Sequence, residues 1–86
     1  MPRKQSVKKT DGYNLSISMN GEVLDVFTDD LKAELQKITP EHIHTEVFIT
    51  IKKGLADFTR RFTLHDAKKL FRDSERQDIF LNNLFF

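Results

Sequence analysis

Two small groups of side chains in this chain have the types and spacing to do chemistry. His42, His44 and Glu46 fall at alternate positions, so an extended backbone would set two imidazoles and a carboxylate on one face, as in a zinc site. No fourth ligand is evident and the chain has no cysteine. The start of a surface strand accounts for the same residues. His65-Asp66 has the composition of an acid–base couple, yet Asp66 stands three residues after Thr63 and has a structural job there as a helix-cap partner. No hydroxyl beside a base, no glycine-rich phosphate loop and no H-E-x-x-H pattern occur. The expectation is a protein that is not an enzyme, with no catalytic residue, no metal, no cofactor and no small-molecule substrate.

The charged residues are more suggestive. A net charge of +1 conceals an asymmetry. Residues 1–10 carry Arg3, Lys4, Lys8 and Lys9 with no acid, and residues 11–50 set eight acids against Lys32 and Lys37. Residues 51–86 are basic again, with Lys52, Lys53, Arg60, Arg61, Lys68, Lys69, Arg72 and Arg76. Positions 68, 72 and 76 recur every four residues and would share one face of a helix. Together with the N-terminal arm these bases form a candidate phosphate-contacting surface, whose affinity would come from counterion release. Exposed aromatics for base stacking are limited to Tyr13 and Phe48. The acidic stretch, with Glu22, Asp25, Asp29, Asp30 and Glu34, admits a third role as an inhibitor that mimics nucleic acid.

The ending IFLNNLFF is the other unusual feature. Chain ends are normally polar and frayed, so Phe80, Leu84, Phe85 and Phe86 need somewhere to bury. Phe27, Phe58, Phe62 and Phe71 already serve so small a core. The four C-terminal residues are therefore candidates for a protein interface, and self-association would offset the marginal stability of an 86-residue chain without disulfides. The leading expectation is a small binding or adaptor protein working through protein–protein contacts as a homodimer. A nucleic-acid-binding accessory protein is the alternative. No apolar run approaches the ~20 residues that span a bilayer, and the basic N-terminus lacks the apolar segment of a signal peptide, so a cytoplasmic protein without a membrane partner is expected.

The elements that would position these residues are legible. Residues 1–12 are polar, basic and aperiodic, a flexible arm ahead of a single α+β domain over 13–86. Tyr13, Leu15, Ile17 and Met19 alternate with polar residues, and Asn20-Gly21 is the favoured pair for a two-residue hairpin turn. That turn sets Met19 opposite Glu22, Ile17 opposite Leu24 and Leu15 opposite Val26, one apolar patch. A helix capped by Thr28 follows, with Leu31, Leu35 and Ile38 on one side, ending at Thr39 before Pro40. One further helical turn could open at Thr39-Pro40-Glu41.

The segment from His42 to Lys53 returns to period two, and Gly54 reverses it into a partner strand. Loops of Lys53-Gly54 or of residues 53–56 both place Phe58, Arg60 and Phe62 beside Ile49 and Ile51, whereas an odd loop would place Thr59 and Arg61 there. The even loops are preferred, at the cost of turning Arg60 inward. Thr63 caps a second helix, and Ser74 with Gln77 opens a third, in which Ile79, Phe80, Leu84 and Leu81 would pack.

The fold expected is α+β. It has two antiparallel hairpins and two to three helices in ββα-ββα order, with the helices packed on one face of the sheet. Four strands, a following helix and many bases resemble small single-stranded-DNA-binding domains, from which the helix between the hairpins departs. No site residues are carried over from them.

Overall fold

Alternation and turn chemistry produce four strands in the computed structural model, which describes residues 12–84. The chain runs through β1 (Tyr13–Met19), β2 (Glu22–Thr28), α1 (Leu31–Gln36), a 3-10 turn (Pro40–His42), β3 (Val47–Lys53), β4 (Ala56–Phe62), α2 (Leu64–Arg72) and α3 (Ser74–Asn82). The expectations for residues 1–11, and for Phe85 and Phe86, fall outside the described residues. The strands form one antiparallel sheet in the order β2-β1-β3-β4. Among the described residues no helix is long and apolar enough to cross a membrane.

The first hairpin has the expected register, from Met19↔Glu22 to Tyr13↔Thr28. Asn20 (φ 54°) and Gly21 (φ 79°) both take the left-handed conformation that a type I′ turn requires. In the second hairpin Lys53 faces Ala56 across Gly54 and Leu55, so Phe58, Arg60 and Phe62 stand opposite Ile51, Ile49 and Val47. This is the pairing of the longer even loop, extended by one pair. Gly54 (φ 60°) alone has positive φ in this turn, which fits type II′.

Leu15, Ile17, Val47, Ile49 and Ile51 are buried in one cluster with Leu31 and Leu35 of α1, Ala67, Leu70 and Phe71 of α2, and Phe80 of α3. The alternate row, Asn14, Ser16, Ser18, Phe48, Thr50 and Lys52, is exposed or half-buried. Sheet position overrides pattern on the outer strands. Leu24 and Val26 remain exposed because β2 is an edge strand, and Phe27 and Phe58, expected in the core, are exposed as well.

Caps follow local geometry more closely than composition. Thr63 accepts from the Asp66 backbone N–H at 3.2 Å, as expected. The first helix starts later than Thr28. Asp30 caps it through Ala33 N–H at 3.1 Å, and it stops at Gln36, with Lys37 as C-cap rather than Thr39. Thr28 instead ends β2, its hydroxyl accepting from Asp30 N–H at 3.0 Å. Asp73, not Ser74, caps α3 by accepting from Glu75 N–H at 2.9 Å. Gln77 is buried at 2% exposure, and its Nε2 donates to the carbonyls of Leu70 (3.2 Å) and Phe71 (3.3 Å). It thereby satisfies carbonyls that the end of α2 leaves open. Ile79 is exposed, while Phe80 and Leu84 pack in the core.

Candidate functional site

The two-residue turns decide which backbone groups each outer strand presents. In a type I′ hairpin the residues flanking the loop form a hydrogen-bonded pair, so Glu22, Leu24, Val26 and Thr28 direct their N–H and C=O toward β1. Val23, Asp25 and Phe27 direct theirs away from the sheet. By the same parity, Asp57, Thr59 and Arg61 present the free groups of β4.

β2 is an edge with few of the features that blunt one. Natural edges are blunted by charged side chains, lysine above all, by proline, by bulges or by short length. β2 is seven residues long, has neither Lys nor Pro, and pairs with β1 without a bulge. It leaves Val23 (60%), Leu24 (47%), Val26 (38%) and Phe27 (47%) exposed, two on each face of the sheet. Gly12 fixes one end of it. A Cβ at Gly12 would lie 2.6 Å from the Phe27 ring and 3.1 Å from the Thr28 carbonyl oxygen, so only glycine lets that ring lie where it does. Beside the strand runs a groove of about 220 Å³, with Leu15, Ile17, Leu24, Val26 and Ile38 in its wall and Glu34 and Lys37 at its rim.

The expected cationic surface is divided. Arg3, Lys4, Lys8 and Lys9 lie outside the described residues. Lys53 places its Nζ 4.8 Å from the centroid of the Tyr13 ring, and Lys52 is exposed one residue before it. Arg60 stacks on Phe80 at 5.9 Å, and Arg61 pairs with Glu46 at 3.3 Å. The extended backbone of Asp73 ends α2, so Arg76 does not continue the face of Lys68 and Arg72 as one helix would. Arg76 pairs instead with Asp73 at 3.7 Å. Lys68, Lys69 and Arg72 stay together on α2.

Phe80 and Leu84, taken from sequence as interface residues, are each 7% exposed and belong to the chain's own core, so they have little surface to offer a partner. Phe62 packs edge-on against Phe80 at 5.3 Å, part of the burial that Phe80 finds.

Asn20 holds the backbone around the histidines. Asn20 Nδ2 donates to the His42 carbonyl at 2.6 Å and Asn20 Oδ1 accepts from His44 N–H at 2.7 Å, while Asn20 N–H donates to Thr45 Oγ1 at 2.8 Å. His42 sits in the 3-10 turn, so the alternation expected of an extended segment does not hold there. No group of three His, Cys, Asp or Glu among the described residues could hold a metal ion. His65 and Asp66 meet at 3.8 Å on an exposed helix start.

The acidic residues also have local tasks. Asp30 caps α1, Glu34 holds Lys37 at 3.2 Å, and Asp25 accepts a hydrogen bond from Ser16 Oγ. In an open cleft of about 590 Å³ between Tyr13, Asp30, Lys32 and Leu81, Asp30 is the cap of α1, Lys53 lies over the Tyr13 ring and Lys32 is held by Asp78 at 2.9 Å.

Sequence reasoning did not foresee the exposed apolar edge of β2, although Val23 and Phe27 break the polar face and the strand has neither Lys nor Pro. Only the sheet order reveals that β2 is outermost. No family model matches this chain, and no significant match to it occurs among the curated proteins or the solved structures.

Proposed function

We propose that this chain is a non-enzymatic protein-interaction module that takes a partner strand on the free edge of β2. One observation carries the reading: a seven-residue, unbulged edge without Lys or Pro that exposes four large apolar side chains. Strand addition uses the outward N–H and C=O groups for affinity and alternate side chains for specificity. Here Val23 and Phe27 would meet the partner on one face, and Leu24 and Val26 on the other. The buried sheet row and the helices share one core cluster, which supports helices lying over one face of the sheet. That arrangement leaves β2 accessible from its outer side. Self-association, expected from sequence as a homodimer, is one use of such an edge.

The test is a photo-crosslinking residue at Val23 in the full chain, expressed in the cells that naturally make it. Adducts should form there, and should be lost when Asp25→Pro removes an outward N–H that β1 does not use. No adduct, or adducts indifferent to Asp25→Pro, would overturn the reading.

A second reading, nucleic-acid binding, is favoured by Lys68, Lys69 and Arg72 of α2, which form no ion pair among the described residues. Its test is a salt titration against single-stranded DNA and RNA, where phosphate contacts give a steep loss of affinity with ionic strength. The absence of binding at low salt would remove it.

A further inference from the structure

The two edges of the sheet differ in charge. β2 carries Glu22 and Asp25 and no base, and the following residues add Asp29 and Asp30. β4, the opposite edge, carries Arg60 and Arg61 against Asp57. Both edges offer free backbone groups at the same parity, and their directions agree. All neighbours in the sheet are antiparallel, so β4 runs opposite to β2. A second copy displaced sideways in the same orientation therefore sets its β2 antiparallel to the first copy's β4.

We propose that the partner strand for β2 is β4 of a second copy, joined head to tail in a continuing sheet. The inference rests on the reading of β2 as a docking edge and adds the occupant. One register brings an acid to an arginine and an apolar side chain to Phe62. Asp25 faces Arg61 and Phe27 faces Thr59 on one side, while Leu24 faces Phe62 and Val26 faces Arg60 on the other. The hydrogen-bonding pairs fall on Asp25–Arg61 and Phe27–Thr59, whose N–H and C=O groups both point outward.

Charge favours this pairing over a β2–β2 contact. Two β2 edges in the antiparallel register centred on Asp25 set that carboxylate against its copy, whereas two β4 edges centred on Thr59 set Asp57 opposite Arg61, so charge disfavours the β2 self-pairing and not that of β4. Like charges across an interface disfavour association, and opposite ones guide it. The Asp25 carboxylate that repels its copy across a β2–β2 contact attracts Arg61 when the two unlike edges meet. Such a contact is heterologous, so it closes only as a ring and otherwise extends.

The chain has no cysteine, which makes a clean test available. Full-length Val26→Cys and Arg60→Cys proteins are mixed under mild oxidation. The proposed register makes residues 26 and 60 a non-hydrogen-bonded pair with Cα atoms ~4.5 Å apart, inside the ~4.4–6.8 Å that disulfides span. The expected result is a mixed disulfide formed several-fold faster than either homodisulfide and slowed by salt. Dominance of the Val26→Cys homodisulfide would assign a two-fold β2–β2 contact and overturn the proposal. Disulfides no faster than those of a control cysteine at exposed Ile79 would overturn it too. If crosslinking at Val23 persists in that last case, β2 takes a foreign strand and only the second copy is excluded.

Discussion

The guanidinium of Arg60 lies 5.9 Å from the centroid of the Phe80 ring. This contact explains how an edge strand tolerates an arginine on the core side of the sheet. The charge stays at the sheet margin, over an aromatic face that is itself packed edge-on by Phe62. Cation–π attraction at exposed sites is modest. Arg60→Ala should lower unfolding free energy by only ~0.5–1 kcal/mol in a denaturant titration. A loss of several kcal/mol would mean that Arg60 is a structural member of the core, contrary to its exposure.

Gln77 is expected to matter more than its surface-type side chain suggests. Its Nε2 serves two backbone carbonyls at the end of α2, and both partners are buried from water there. Gln77→Leu keeps the volume but orphans those carbonyls, at a cost of ~1–3 kcal/mol read from urea unfolding. Unchanged stability in that variant would show that the two carbonyls find other donors.

Neighbouring residues separate the true helix caps from the apparent ones. Asp73→Ala, Asp30→Ala and Thr63→Ala should each cost ~1 kcal/mol, since each side chain accepts from a first-turn N–H. Ser74→Ala should be nearly neutral in the same denaturation assay. A larger loss at Ser74 than at Asp73 would reverse the assignment.

Charge reversal probes the pairing of unlike edges. Asp25→Arg alone and Arg61→Asp alone should each abolish concentration-dependent growth in mass by sedimentation equilibrium, and the double variant should restore it. Because Arg61 also pairs with Glu46 at 3.3 Å on the exposed surface, the single variants should lose less than ~1 kcal/mol of folding stability. Restoration separates the intermolecular effect from that local one. Failure of the double variant to recover association would speak against an Asp25–Arg61 contact.

Local chemistry was legible in the chain and sheet order was not. Asn20-Gly21 declared its turn and register, and Thr63 declared its cap, because both depend on a few adjacent residues. Leu24, Val26, Phe27 and Phe58 read as core residues because alternation reports which face a side chain is on, not whether anything covers it. Their exposure follows from β2 and β4 being outermost, a fact set by the crossover from β2 to β3 rather than by any local pattern. The same blindness assigned Phe80 and Leu84 to an interface. Their burial depends on Asp73 breaking the last helical segment and returning α3 to the core. Residues 68, 72 and 76 looked like one face for the same reason: spacing assumes a continuous helix, and the capping carboxylate of Asp73 ends it.

Amide hydrogen exchange on the full chain tests the use of β2 most directly. Val23, Asp25 and Phe27 carry the free N–H groups of that edge, and Thr59 and Arg61 are among those of β4. As protein concentration rises, these five amides should gain protection together, while exposed amides away from both edges, such as that of Glu75 at the surface start of α3, stay unchanged. Protection of β2 amides that is independent of concentration, with no response at Thr59 or Arg61, would contradict head-to-tail pairing of the two edges.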